Sequence, residues 1–208
     1  MNSTLEGAHN EDFDAEFKWA HKTVLEVKRV LNRDKTSDDE RSTSVVGIID
    51  QTLEHHAAIL LLLRSGMAGS AFALTRPVTE AVVRGVWLTA CAADAEVMKF
   101  VNKDKIELTY GQMSEAIDAT CSIEYFGAFK TQSWKTLNSY THTGMLQIGR
   151  RFTGDKLPPS YSNKEKIEVL RVITASILLL VRPFLARQGH LDSAKQIDKL
   201  MVRPRKSQ

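Results

Sequence analysis

Apolar residues recur at helical spacing through almost the whole chain, and no run alternates apolar and polar residues in the manner of a strand. One stripe runs Val45, Ile49, Leu53, His56, Leu60 and Leu63, and an earlier one runs Phe13, Phe17, Ala20, Val24, Val27 and Leu31. Only 5 prolines and 11 glycines interrupt the 208 residues, so long helices are not broken often. The pattern predicts helices over 13–31, 45–64, 69–92, 125–142, 164–187 and 191–200, with two shorter ones near 94–103 and 111–120. A polar connector falls at 32–44, small residues and glycines at 65–70 suit a tight helix–helix turn, and Pro158-Pro159 marks a loop over 153–163. The first connector offers Ser and Asp residues suited to capping the helix that follows it.

These elements predict one all-α helical bundle of about six to nine helices. Its expected limits are a flexible N-terminus at 1–12, the bundle at 13–200 and a basic flexible tail at 201–208. A hydrophobic share of 43% is enough for a sizeable core. Net charge of +3 is too mild to mark a nucleic-acid binder by itself, although local basic patches leave nucleic acid open as a partner. The longest apolar runs, 57–63 and 176–181, fall short of the roughly 18 apolar residues of a membrane span. The polar, acidic start lacks the features of a signal peptide. A soluble cytoplasmic protein with no membrane partner is expected. Cys91 and Cys121 are expected as buried free thiols rather than a disulfide framework.

One apolar segment carries charge. In "ALTRPVTEAVVRGVW", residues 73–87, Arg76, Glu80 and Arg84 stand four apart and share one helix face. Three readings fit: a solvated ion-pair ladder, a buried set of charges that pins helices or subunits together, or a pocket in which Arg76 or Arg84 holds an anion and Glu80 orients it. Pro77 sharpens the question. It removes one helix hydrogen bond and leaves a carbonyl open near Arg76, unless a new helix starts at Thr75.

A polar knot in "LNSYTHTGMLQIGRR", residues 137–151, is the second candidate. His142 has the chemistry of a general acid or base near neutral pH. Ser139 and Tyr140 stand ready to contact a ligand, and Arg150 to hold a phosphate, sharing a face with His142 if the helix runs on past Gly144. The adjacent His55 and His56 point about 100° apart on a helix and do not chelate one ion. No metal motif, glycine-rich nucleotide loop or serine elbow is present, so neither a metal site nor a cofactor is expected.

The order of the R-P-x-x-E segment in 70–92 and S-Y-T-H in 137–144 resembles a group of bacterial all-helical proteins. More distantly it is similar to the HEPN superfamily. That likeness implies a HEPN-like helical fold, a homodimer or protein partner, and a role in a bacterial defence or toxin-type system. Many such proteins cleave RNA with an arginine placed four to six residues ahead of a histidine. No arginine stands at that distance before His142. A ribonuclease site would therefore be built across helices, with His142 as acid or base, Arg76 and Arg84 holding phosphate, and Glu80 orienting an arginine. The other readings are an interaction module, in which Arg76, Glu80 and His142 fix a helix or subunit interface, and a sensor of a small anionic ligand.

Overall fold

The computed structural model describes residues 2–34, 36–151 and 161–202. Most of the expected 153–163 loop and the tail from residue 203 lie outside the described residues. Among the described residues there are nine α-helices and no strand: α1 (Asn2–Arg33), α2 (Glu40–Arg64), α3 (Ala68–Ala90), α4 (Asp94–Lys103), α5 (Tyr110–Cys121), α6 (Phe126–Thr141), α7 (Met145–Ile148), α8 (Asn163–Arg187) and α9 (Leu191–Met201). The chain is an all-α bundle. Two boundaries differ from the sequence reading. Helix α1 begins at Asn2, well ahead of Phe13, and α2 begins at Glu40, inside the expected connector.

Local chemistry sets the helix ends. Asp39 caps α2 by accepting from the Ser42 amide at 2.9 Å. Thr109 with Gln112 and Ser162 with Glu165 form reciprocal capping boxes at α5 and α8. Asp118, on α5, caps its neighbour instead: its carboxylate accepts from the Phe126 and Gly127 amides at 3.0 and 2.8 Å and so fixes the start of α6. Gly189, at φ +81°, turns the chain out of α8.

Helix α3 is the hub. It packs against α2, α8, α5 and α6. At Gly85 the helices approach so closely that a Cβ would stand 2.5 Å from Leu180 Cδ1 and 3.2 Å from Ile48 Cγ2. Around this contact Val82, Val86, Leu88, Leu180 and Phe184 are buried in one core cluster. A second cluster, around Ile59, Phe72, Tyr140, Leu170 and Ile173, fills the other end of the bundle. Arg41 is 8% exposed; it donates to the Leu88 carbonyl at the end of α3 and to Asp94 at 2.7 Å. Helices α2 and α8 are long and apolar enough to cross a membrane by length and composition alone, and both are core helices of this bundle.

Candidate functional site

Pro77 lies inside α3, and the helix runs continuously through it from Ala68 to Ala90. The carbonyl four residues before a proline has no helical donor. Here that carbonyl belongs to Ala73, and the Thr141 hydroxyl donates to it at 3.2 Å. The Gln147 side-chain amide donates in the same way to the Gly69 carbonyl at 3.2 Å. Gly69, Ala73, Arg76 and Glu80 follow one stripe of α3. The end of α6 and the turn after it are thereby laid along that stripe.

The turn is tightly built. Helix α6 closes with the Gly144 amide donating to the Ser139 carbonyl at 2.7 Å, and the Leu146 amide donates to Ser139 Oγ at 3.0 Å. Thr143 occupies the left-handed region at φ +54°. A Cβ on Gly144 would meet Ser139 Cα at 2.9 Å. Because α6 ends at Thr141 and α7 starts at Met145, His142, Leu146 and Arg150 do not share a continuous helix face as the sequence allowed.

This seating brings His142 onto Arg76. The Arg76 Nε donates to Glu80 Oε1 at 2.8 Å, and its terminal NH1 donates to His142 Nε2. A guanidinium has no lone pair to offer, so Nε2 accepts, and a neutral His142 in this geometry holds its proton on Nδ1. The Arg76 guanidinium carbon stands 4.8 Å from the Trp134 ring centroid, and Trp134 stacks on Tyr110 at 4.4 Å. Arginine is thus held by a carboxylate, an indole face and an imidazole. The Tyr110 hydroxyl is buried. Burial first, and the Glu80 charge next, push its pKa up to about 12. The cluster is open to solvent: His142 is exposed, and the Arg76 and Glu80 side chains keep 18% and 37% of their surface.

Arg76, Glu80 and His142 therefore meet, whereas the other candidates have different surroundings. Arg84 is exposed, with its guanidinium 6.0 Å from the Phe100 ring. It lines a cleft of about 330 Å³ with Glu80, Lys105 and Tyr110. Ser139 serves the turn through Leu146. Tyr140 is buried edge-on to Phe72 at 5.3 Å, and Arg150 pairs with Glu165 and lies 5.8 Å from the Tyr161 ring. Tyr140 and Arg150 line a separate groove of about 380 Å³ between α6 and α8, floored by Phe72 and Thr75.

Trp134 and Tyr110 escaped the sequence reading. Trp134, on α6, precedes His142, which caps that helix, by eight residues, a spacing of about two turns; Tyr110 carries no such mark. Cys121 is exposed rather than buried, because α5 ends there, while Cys91 is half-buried. His56 is fully buried against Thr174 at 3.1 Å. Among the described residues, no three His, Cys, Asp or Glu side chains cluster to hold a metal.

No curated protein and no solved structure matches this chain. One family model matches residues 49–203, a span that includes the whole Arg76–Glu80–His142 cluster. The chain belongs to that family, described as a family of unknown function (DUF6988).

Proposed function

We propose that this helical domain handles phosphodiesters, with single-stranded RNA as substrate, in the manner of a HEPN-like ribonuclease of a cytoplasmic bacterial defence or toxin-type system. The observation that carries the reading is that Arg76 is bonded at once to Glu80 and to a solvent-exposed His142. His56 and Arg41, by contrast, are buried and bonded within the core. The end of α6 and the turn after it are already held on α3 by Thr141 and Gln147. The Arg76–His142 contact is surplus to that need.

The chemistry follows from the donors. A phosphate oxygen competes with His142 Nε2 for the Arg76 guanidinium, and charge favours the phosphate. Nε2, released, takes the proton of a ribose 2′-hydroxyl. The 2′-oxygen forms a bond to phosphorus, the bond to the 5′-oxygen breaks, and that oxygen takes a proton from the imidazolium or from water. Arg76, oriented by Glu80, stabilises charge on the non-bridging oxygens through the transition state.

The test is cleavage of single-stranded RNA by wild type, His142→Ala and Arg76→Gln, each shown to be folded by circular dichroism. Loss of one acid or base is expected to reduce the rate by about 10²–10⁴-fold, with a comparable loss for the arginine. Equal rates in folded wild type and His142→Ala would refute it.

A second reading, an interaction module in which the cluster fixes a subunit interface, draws on the turn beside the cluster. Met145, Leu146 and Ile148 are 76%, 47% and 38% exposed there, an apolar surface fit for a homodimer or partner protein. Concentration-dependent light scattering of wild type against Met145→Lys separates the two: an interface loses mass with the lysine, and a monomeric wild type removes this reading.

A further inference from the structure

The two cysteines come last in two apolar helix stripes, at the end of α3 and the end of α5. On α3, Val83, Trp87 and Cys91 follow one another at four-residue steps; on α5, Met113, Ile117 and Cys121 do the same. Val83, Trp87, Met113 and Ile117 are buried in one core cluster, α3 packs against α5, and the thiols come last in each stripe. Cys91 caps α3 and its Sγ donates to the hydroxyl of Thr120, the neighbour of Cys121, at 3.5 Å. The next residue, Ser122, leaves α5 in the left-handed region at φ +54°. Cys121 is thus a terminal helical residue and exposed, while Cys91, whose Sγ reaches the preceding Thr120, is half-buried. A disulfide needs Cα atoms about 4.4–6.8 Å apart. Burial raises the Cys91 pKa first, and the nearby Cys121 adds to the rise.

We propose that Cys91 and Cys121 form an oxidant-sensitive dithiol, which a hydroperoxide such as hydrogen peroxide closes into an intramolecular disulfide. Cys121 is the attacking sulfur because it is the exposed one. Its thiolate takes one peroxide oxygen: the S–O bond forms, the O–O bond breaks, and the departing hydroxide leaves as water. The Cys91 sulfur then attacks the Cys121 sulfenic acid, forming S–S and breaking S–O, and the second hydroxide leaves with the Cys91 proton as water. Two thiols lose two electrons and two protons, and one peroxide becomes two waters. The bond would tie the end of α3 to the end of α5 and close the chain around α4. Helix α5 also begins with Tyr110, whose ring backs Trp134 beside Arg76.

The test treats the full-length folded protein with a small excess of hydrogen peroxide, blocks remaining thiols by alkylation, and reads intact mass and the linked peptide. Wild type is expected to lose two hydrogens, resist alkylation at both positions, stay monomeric on a non-reducing gel and give a peptide joining Cys91 to Cys121. The bridge is expected to form faster in the folded than in the urea-unfolded chain, because folding raises the effective concentration of one thiol at the other. Cys121→Ser, at an exposed position, is expected to leave Cys91 alkylatable. Two free thiols after treatment, a product linked between chains, or an over-oxidised Cys121 beside a free Cys91 would each overturn the proposal.

Discussion

The hydroxyl of Thr141 donates to the carbonyl of Ala73, the acceptor that Pro77 leaves open in the middle of α3. A hydrogen bond missing from one helix is thereby the anchor for the end of another, and His142, the next residue, is carried to Arg76. Thr141→Val keeps the shape and removes the donor. It is expected to cost about 1–2 kcal/mol in urea unfolding, the usual penalty for a stranded backbone acceptor. In a Pro77→Ala background the restored amide at 77 serves Ala73, and the same change is expected to cost less. Equal penalties in the two backgrounds would mean that the proline does not explain the contact.

Gly85 and Gly47 make a matched pair. A Cβ at Gly85 would press into Leu180 and Ile48, whereas one at Gly47 would meet nothing within 4 Å. Gly85→Ala is expected to destabilise the protein by about 1–3 kcal/mol through overpacking. Gly47→Ala, in the exposed face of α2, is expected to stabilise it by up to about 1 kcal/mol. Denaturant midpoints of the two variants read both, and a stabilised Gly85→Ala would show that the α3–α8 seam is looser than described.

His56 makes stability depend on pH. It is fully buried, and burial first, with the charges of His21 and Lys28 next, lowers its pKa from about 6.5 to about 3. Between those values the unfolded chain binds a proton that the folded chain refuses. Stability therefore falls as pH drops from 6.5 towards 3, by at most about 1.4 kcal/mol per pH unit from this group. His56→Gln is expected to flatten that part of the profile, measured as denaturant midpoint against pH. An unchanged slope would remove His56 as its cause.

Thr143 and Gly144 test the turn that presents His142. Thr143 is β-branched and left-handed, at φ +54°, a conformation that glycine adopts without the clash. Thr143→Gly is expected to raise stability by about 1 kcal/mol, within the usual range for such strain. Gly144→Ala is expected to lower it, since the new Cβ meets the backbone of Ser139 at 2.9 Å. Thermal melts that order the two the other way would contradict the described turn.

Much of this was legible in the sequence because periodicity survives in the chain itself. Stripes such as Val45 to Leu63 mark helices directly, and the i, i+4 spacing of Arg76 and Glu80 marks their pair. Pro77 announced an open carbonyl, and the polar knot held both the residue that fills it and His142. What stayed hidden depends on distant contacts. Trp134 and Tyr110 reach Arg76 only once α5 and α6 are stacked on α3. Arg84 shares a face with Glu80, yet its long side chain settles over Phe100, which no local spacing encodes. Arg150 pairs with Glu165 on α8, a partner that lies too far along the chain for local spacing to mark. The early start of α1 escaped because residues 2–12 carry little apolar periodicity.

The most direct test of the central claim watches the His142 ring by ¹⁵N NMR while a single-stranded 2′-O-methyl RNA, which binds but lacks the attacking hydroxyl, is added to the folded protein. Phosphate displacing the imidazole from Arg76 is expected to move the Nε2 resonance of His142 saturably, and Arg76→Gln is expected to abolish that dependence. An RNA titration that leaves His142 unmoved in the folded wild type would contradict a phosphodiester site at Arg76, Glu80 and His142.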